Sequence, residues 1–149
     1  MKKIIVSACL LGERCRFDGE SKPNDDVLAL KNKFELIPVC AEVFGGLSVP
    51  RLPAEIVGGK VIRADGFDVT DNYRIGAEKV LKIAIENRCE LAILKARSPS
   101  CGKGRIYDGS FTKKLIVGNG ICAQLLIDNG IKIVDETEVG CLIYEDNSK

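Results

Sequence analysis

The chain contains no histidine. That absence removes imidazole acid–base catalysis, Ser-His-Asp and Cys-His nucleophile pairs, and every zinc site that needs a histidine ligand. No Cys-x-x-Cys pair occurs either, so the close ligand pairs of a structural zinc site are missing. Neither sign of charge is in excess: 22 Lys and Arg face 21 Asp and Glu, for a formal net charge of +1. Without a basic footprint to draw a phosphate backbone, a nucleic-acid polymer is disfavoured as a partner. No apolar run approaches the roughly 18 residues of a membrane span. Met1-Lys2-Lys3 leads into a brief apolar stretch that ends in charged positions, unlike the core of a signal peptide. The expectation is a cytoplasmic protein with no membrane partner. Its chemistry must come from thiolates, carboxylates, hydroxyls, Lys, Arg or a cofactor.

Thiols are what the chain has instead. Seven cysteines stand at positions 9, 15, 40, 89, 101, 122 and 141, an odd number at irregular spacing, which argues for reduced thiols rather than a disulfide framework. At 149 residues the chain reads as one domain, 1–149, long enough to bury a core without covalent staples. Residues 3–8, 34–39 and 91–94 are nearly continuous apolar runs, as in strands buried on both faces. Asn24 is a plausible cap for a short helix over 25–33, and Thr70 for a longer one over 71–88 with an apolar stripe of Ala77, Val80, Leu81, Ala84 and Ile85. A further helix is expected over 121–128, closed by Asn129-Gly130, before a last strand over 131–134. The irregular stretch 45–66 suggests a hairpin at Gly58-Gly59. Alternating strands and helices give an α/β fold, a mainly parallel sheet with helices on both faces.

On that plan Cys9 follows the first strand, Cys40 the second and Cys101 the third. The carboxyl ends of parallel strands share one edge, where ligands bind, and neighbouring strands are only about 4.8 Å apart, so the three thiols are expected to converge. Glycines follow each of them (Gly12, Gly45 and Gly46, Gly102 and Gly104), which lets backbone amides approach an anion or simply marks strand-to-helix turns. Cys89, Cys122 and Cys141 read as small packing residues. Cys15 fits a fourth ligand, a redox helper or a structural thiol. Three thiolates without histidine suit an iron–sulfur cluster, which does not require adjacent ligands. On a four-iron cube they would leave one iron open to a substrate atom.

Five segments, "SACLLGERCRFDG", "PVCAEVFGGLSVPRLPAE", "GFDVTDNYRIGA", "ILKARSPSCGKGRIYDGSF" and "GNGICAQLL", closely resemble the small bacterial family once catalogued only as a domain of unknown function, whose characterised members are thiouracil desulfidases. The resemblance runs along almost the entire chain. It implies a Rossmann-like α/β domain with an oxygen-sensitive [4Fe-4S] cluster on Cys9, Cys40 and Cys101. It further implies non-redox removal of sulfur from a small thiolated nucleobase, giving the oxo base and sulfide. Two departures stand out: Ala41 where a Cys-Pro-Glu segment would have proline, and Leu52 within a proline-rich run. A soft thiocarbonyl sulfur would bind the open iron and expose its carbon to water. Glu42, two residues after Cys40, is the candidate for activating that water. Ser98 matches the family motif as a catalytic residue, Ser100 and Arg51 are candidates for substrate contact, and Lys95 and Arg97 for positive charge beside the thiolates.

Three alternatives remain open at this stage. "LIVGNGICA" places Gly118, Gly120 and Ala123 in a G-x-G-x-x-A spacing ahead of a helix, with Asp135 near the position of a ribose-binding acid, as in a dinucleotide-binding oxidoreductase. Cys9 as a nucleophile is weakened because Arg14 and Arg16 flank, and miss, the C-x5-R spacing of phosphate-cradling loops. A non-catalytic cluster or metal carrier follows if Cys15 closes a four-thiolate site. The sequence carries no signal of oligomeric state.

Overall fold

The computed structural model describes residues 1–140 and 142. In chain order its elements are β1 (Lys2–Ser7), α1 (Asp25–Ala29), β2 (Phe34–Val39), α2 (Ala41–Phe44), β3 (Ala54–Val57), β4 (Lys60–Arg63), α3 (Thr70–Glu86), β5 (Leu91–Leu94), β6 (Arg105–Tyr107), β7 (Leu115–Val117), α4 (Ile121–Asp128) and β8 (Lys132–Asp135). The apolar runs build a four-stranded parallel sheet in the order β2-β1-β5-β8. Its side chains alternate between two layers, as the pleat dictates. Ile5, Ala92, Leu94 and Ile133 pack with Ala77, Val80 and Ala84 of α3 and Cys122, Ala123 and Leu126 of α4. Ile4, Val6, Ile93 and Val134 face the other way, against Leu10, Val27 and Leu30. The fold is therefore mixed α/β with helices on both faces.

Asn24 caps α1 as expected, its side chain accepting from the Val27 amide. That helix is one short turn, continued by a 3-10 turn over Leu30–Asn32. Thr70 does not cap α3. The cap position is Val69, while Thr70 Oγ1 accepts from the Val61 amide at 2.9 Å and donates to Asp68 at 2.6 Å, tying the helix to β4. The buried stripe of α3 is Tyr73, Gly76, Ala77, Val80 and Ala84; Ile85 lies off it and is 62% exposed.

The expected hairpin is β3–β4, turned by Gly58 and Gly59 at φ 57° and 81°, the doubly left-handed turn that matches strand twist. A second antiparallel hairpin, β6–β7, was not expected. Two glycines decide how the helices meet. A Cβ at Gly45 would stand 1.9 Å from the Asn72 carbonyl oxygen, and one at Gly76 only 1.7 Å from that of Ala41, so α2 and α3 touch backbone to backbone. Their glycines serve packing rather than anion contact. This approach sets α2, which follows Cys40, directly against Tyr73.

Candidate active site

The strand ends deliver the three expected thiols to one place. Cys9 sits in the 3-10 turn over Ala8–Leu11 that leaves β1, Cys40 is the N-cap residue of α2, and Cys101 lies in the turn after β5. All three line a cavity of about 390 Å³, together with Cys15, Glu42, Arg51, Lys95 and Ser98. Phe17, Tyr73, Tyr107 and Phe111 give it an aromatic wall. No glycine is among the lining residues.

The loop carrying Cys101 is folded by its own polar groups. Ser98 Oγ accepts from the amides of Cys101 at 2.6 Å and Ser100 at 3.2 Å, a serine turn that holds the thiol's backbone. The carbonyls of Pro99 and Ser100 accept from the first amides of α4, and a Cβ at Gly120 would stand 2.5 Å from the Ser100 carbonyl, so the helix start is seated on the loop. Ser100 itself is fully buried, its Oγ has no hydrogen-bond partner of ordinary geometry among the described residues, and it does not line the cavity.

Glu42 is held at one oxygen. Tyr73 donates its hydroxyl to Glu42 Oε1 at 2.5 Å, and Arg51 Nε stands 3.4 Å from the same atom. The Arg51 contact is one of charge, since Nε is buried without a directional hydrogen bond. Its other nitrogens donate to the carbonyls of Ser48 and Cys15, both at 3.0 Å. Arg51 thus ties the Cys15 loop to Glu42. Lys95 pairs with Glu136 at 2.8 Å and lines the cavity, whereas Arg97 is exposed and does not line it.

Three of the cavity thiols, Cys15, Cys40 and Cys101, resist ionisation as they stand. Burial pushes Cys101 up to about 12, against a partial lowering by the Ser7 hydroxyl. Contact with the Cys15 thiol, then burial, raises Cys40 far above the ordinary thiol value. Cys15 is drawn down by Cys40 but driven up by Cys9 and by burial, to about 11. A bound cation or cluster would reverse this, because metal ligation requires the thiolate and supplies the charge that stabilises it.

A family model described as "2-thiouracil desulfurase" matches residues 4–138. The chain belongs to the 2-thiouracil desulfurase family. It is 39% identical over 150 residues to "Uncharacterized protein YbbK" of Bacillus subtilis (strain 168), covering 94% of this chain and 99% of that one. It is also 40% identical to a solved structure described as the [4Fe-4S]-dependent thiouracil desulfidase TudS, with a TM-score of 0.92 over 100% of both chains.

Membership of the desulfurase family accords with what became of the dinucleotide pattern. β7 pairs antiparallel with β6 and lies outside the parallel sheet, so Gly118 and Gly120 do not follow a Rossmann strand, and Asp135 accepts hydrogen bonds from its own turn at Thr137. Cys89 and Cys122 are buried packing thiols, and Cys141 lies outside the described residues. Sequence reasoning missed Tyr73, the aromatic wall and Glu55, a buried cavity residue on β3. The signal available was that Glu55 and Tyr73 both fall within the five segments quoted above, and that Tyr73 also lies on the buried stripe of α3.

Proposed function

We propose that this chain removes sulfur from a small thiouracil-type base on a [4Fe-4S] cluster held by Cys9, Cys40 and Cys101. The observation that carries the reading is three thiols from the ends of three parallel strands lining one cavity. The donor set fits. Among the described residues no group of three His, Cys, Asp or Glu stands ready for a single metal ion, whereas several thiols lining one cavity, with no histidine in the chain, suit a cluster of several irons. When bound, the cluster supplies a Lewis-acidic iron without a protein ligand, to which a soft sulfur is matched.

The chain's own residues do the rest. With Oε1 engaged by Tyr73 and Arg51, Glu42 keeps Oε2 free to take a proton from water and return it to the departing sulfide. Ser98 Oγ accepts from two amides and keeps its own proton for a polar atom of the base. Arg51 is committed to protein partners and acts by positioning Glu42, and no substrate contact is assigned to Ser100. Strand order β2-β1-β5-β8 puts the reversal of winding between β1 and β5, which supports a Rossmann-like assignment with Cys9 and Cys101 flanking the switch point. The reading takes the chain as one cytoplasmic domain with an oxygen-sensitive cluster, acting on a free small molecule and not on a nucleic-acid polymer or a membrane. Among the described residues no helix is long and apolar enough to cross a membrane.

Anaerobic reconstitution with iron and sulfide, followed by visible and paramagnetic spectra and a sulfide-release assay on 2-thiouracil, tests the proposal. Serine at Cys9, Cys40 or Cys101 is expected to abolish both cluster and turnover, and serine at Cys89 to spare both. Equal damage from Cys89→Ser, or no sulfide from the loaded wild type, sinks it. Contact of the Cys15 thiol with Cys9 and Cys40 favours a second reading, a closed four-thiolate carrier. Loss of the cluster in Cys15→Ser would select that reading.

A further inference from the structure

Glu55 is a carboxylate in an unusual situation. It projects from β3, is 7% exposed and has no cationic partner among the described residues. A buried carboxylate is costly unless hydrogen bonds compensate it. Both bonds it makes go to one loop: Oε1 accepts from the amides of Gly109 at 3.0 Å and Phe111 at 3.2 Å. Bonds from amides to an ionised oxygen are about twice as strong as neutral ones.

The loop joins β6 to β7 and needs such a hold. Phe111 and Lys113 occupy the left-handed region at φ 59° and 64°, a conformation that a bulky side chain keeps only where its surroundings over-determine it. Gly109, at φ 93°, lies so close to β3 that a Cβ would come within 2.8 Å of the Ile56 carbonyl oxygen. Carboxylate, glycine and strained backbone together set one side chain: Phe111 lines the cavity shared with the three thiols yet stays 38% exposed. A phenylalanine left more than a third exposed, at a backbone cost, is poorly explained by packing alone.

We infer that Phe111 is a specificity-determining residue whose ring face receives the planar heterocycle of the substrate, and that Glu55 is the positioning residue that holds it there. The desulfidase reading supplies the identity of the base, and the inference adds how the base is told from a non-aromatic thiocarbonyl compound. Base–aromatic stacking is worth enough that its removal weakens binding about tenfold.

The test uses cluster-loaded protein and uracil as a sulfur-free planar probe, its Kd measured by equilibrium dialysis, beside steady-state kinetics on 2-thiouracil. Phe111→Leu keeps apolar bulk and is expected to raise both the Kd for uracil and the KM for 2-thiouracil about tenfold, with kcat within twofold and cluster absorbance unchanged. Glu55→Ala is expected to reproduce this, and Glu55→Gln, whose amide oxygen still accepts, to restore most of the affinity. An unchanged Kd in Phe111→Leu, an effect confined to kcat, or a wild type that binds no uracil overturns the inference. A wild type that binds uracil but releases no sulfide overturns the desulfidase reading and leaves this one standing.

Discussion

Tyr73 is almost wholly buried, and among the described residues its hydroxyl has a single polar destination, Oε1 of Glu42. Burial and then the negative charge of Glu42 raise the phenol far above its ordinary value, so it remains a donor throughout the working pH range. Tyr73→Phe keeps the ring in its place and removes only the donor. A hydrogen bond to a charged group is worth about 1.5–3 kcal/mol. In steady-state kinetics on 2-thiouracil we therefore expect kcat to fall about tenfold or more, with KM and cluster spectrum nearly unchanged and the melting temperature lower by roughly a few degrees. A kcat within twofold of wild type would remove Tyr73 from the site. Cys9, Cys40 and Glu42 were legible because each closely follows an apolar run, and Cys101 because it lies in the loop that follows the third. Tyr73 was not, because its meaning depends on a partner 31 residues away, created by a helix contact that no local pattern announces. Ser98 reached the cavity and Ser100 did not: side chains two apart on one tight loop need not share a face.

At the scale of elements, the contact between α2 and α3 controls the position of Cys40 and Glu42. Gly76→Ala would force a methyl into the Ala41 carbonyl and part the two helices. Overpacking of this kind costs about 1–3 kcal/mol, and more where the opposing atom is backbone. Circular dichroism is expected to show a melting temperature lower by several degrees, and kinetics a loss of turnover larger than the stability change explains. An unchanged melting temperature would mean that the helices slide apart freely. β2, β5 and α4 lie where the apolar runs and the Asn129-Gly130 stop placed them. β6 and β7 escaped because they are three residues each and partly exposed, and because the glycines after β7 mimic a nucleotide fingerprint. Thr70 misled for a related reason: its hydroxyl serves β4 and Asp68 instead of the helix start.

For the whole molecule, the sheet edge is a convergence of segments that have little to do with one another locally. A cluster bound there would join three of them at once, and a ligand that binds only the folded state stabilises it. Differential scanning calorimetry under anaerobic conditions is expected to place the loaded protein roughly 5 °C or more above chelator-stripped protein. Cys40→Ser should show no such difference. Equal melting temperatures for loaded and stripped wild type would argue that the cofactor is not held from these strand ends.

The position of the third donor also bears on biosynthesis. β1 and β2 are neighbours and bring Cys9 and Cys40 to one end of the sheet, whereas Cys101 follows β5, which pairs along the other side of β1. A nascent polypeptide halted before β5 offers only two of the three proposed donors, with Cys15 as the one other thiol near them. On the proposed ligand set, insertion of the cluster would wait for completed topology, and truncated or misthreaded chains would fail to hold it.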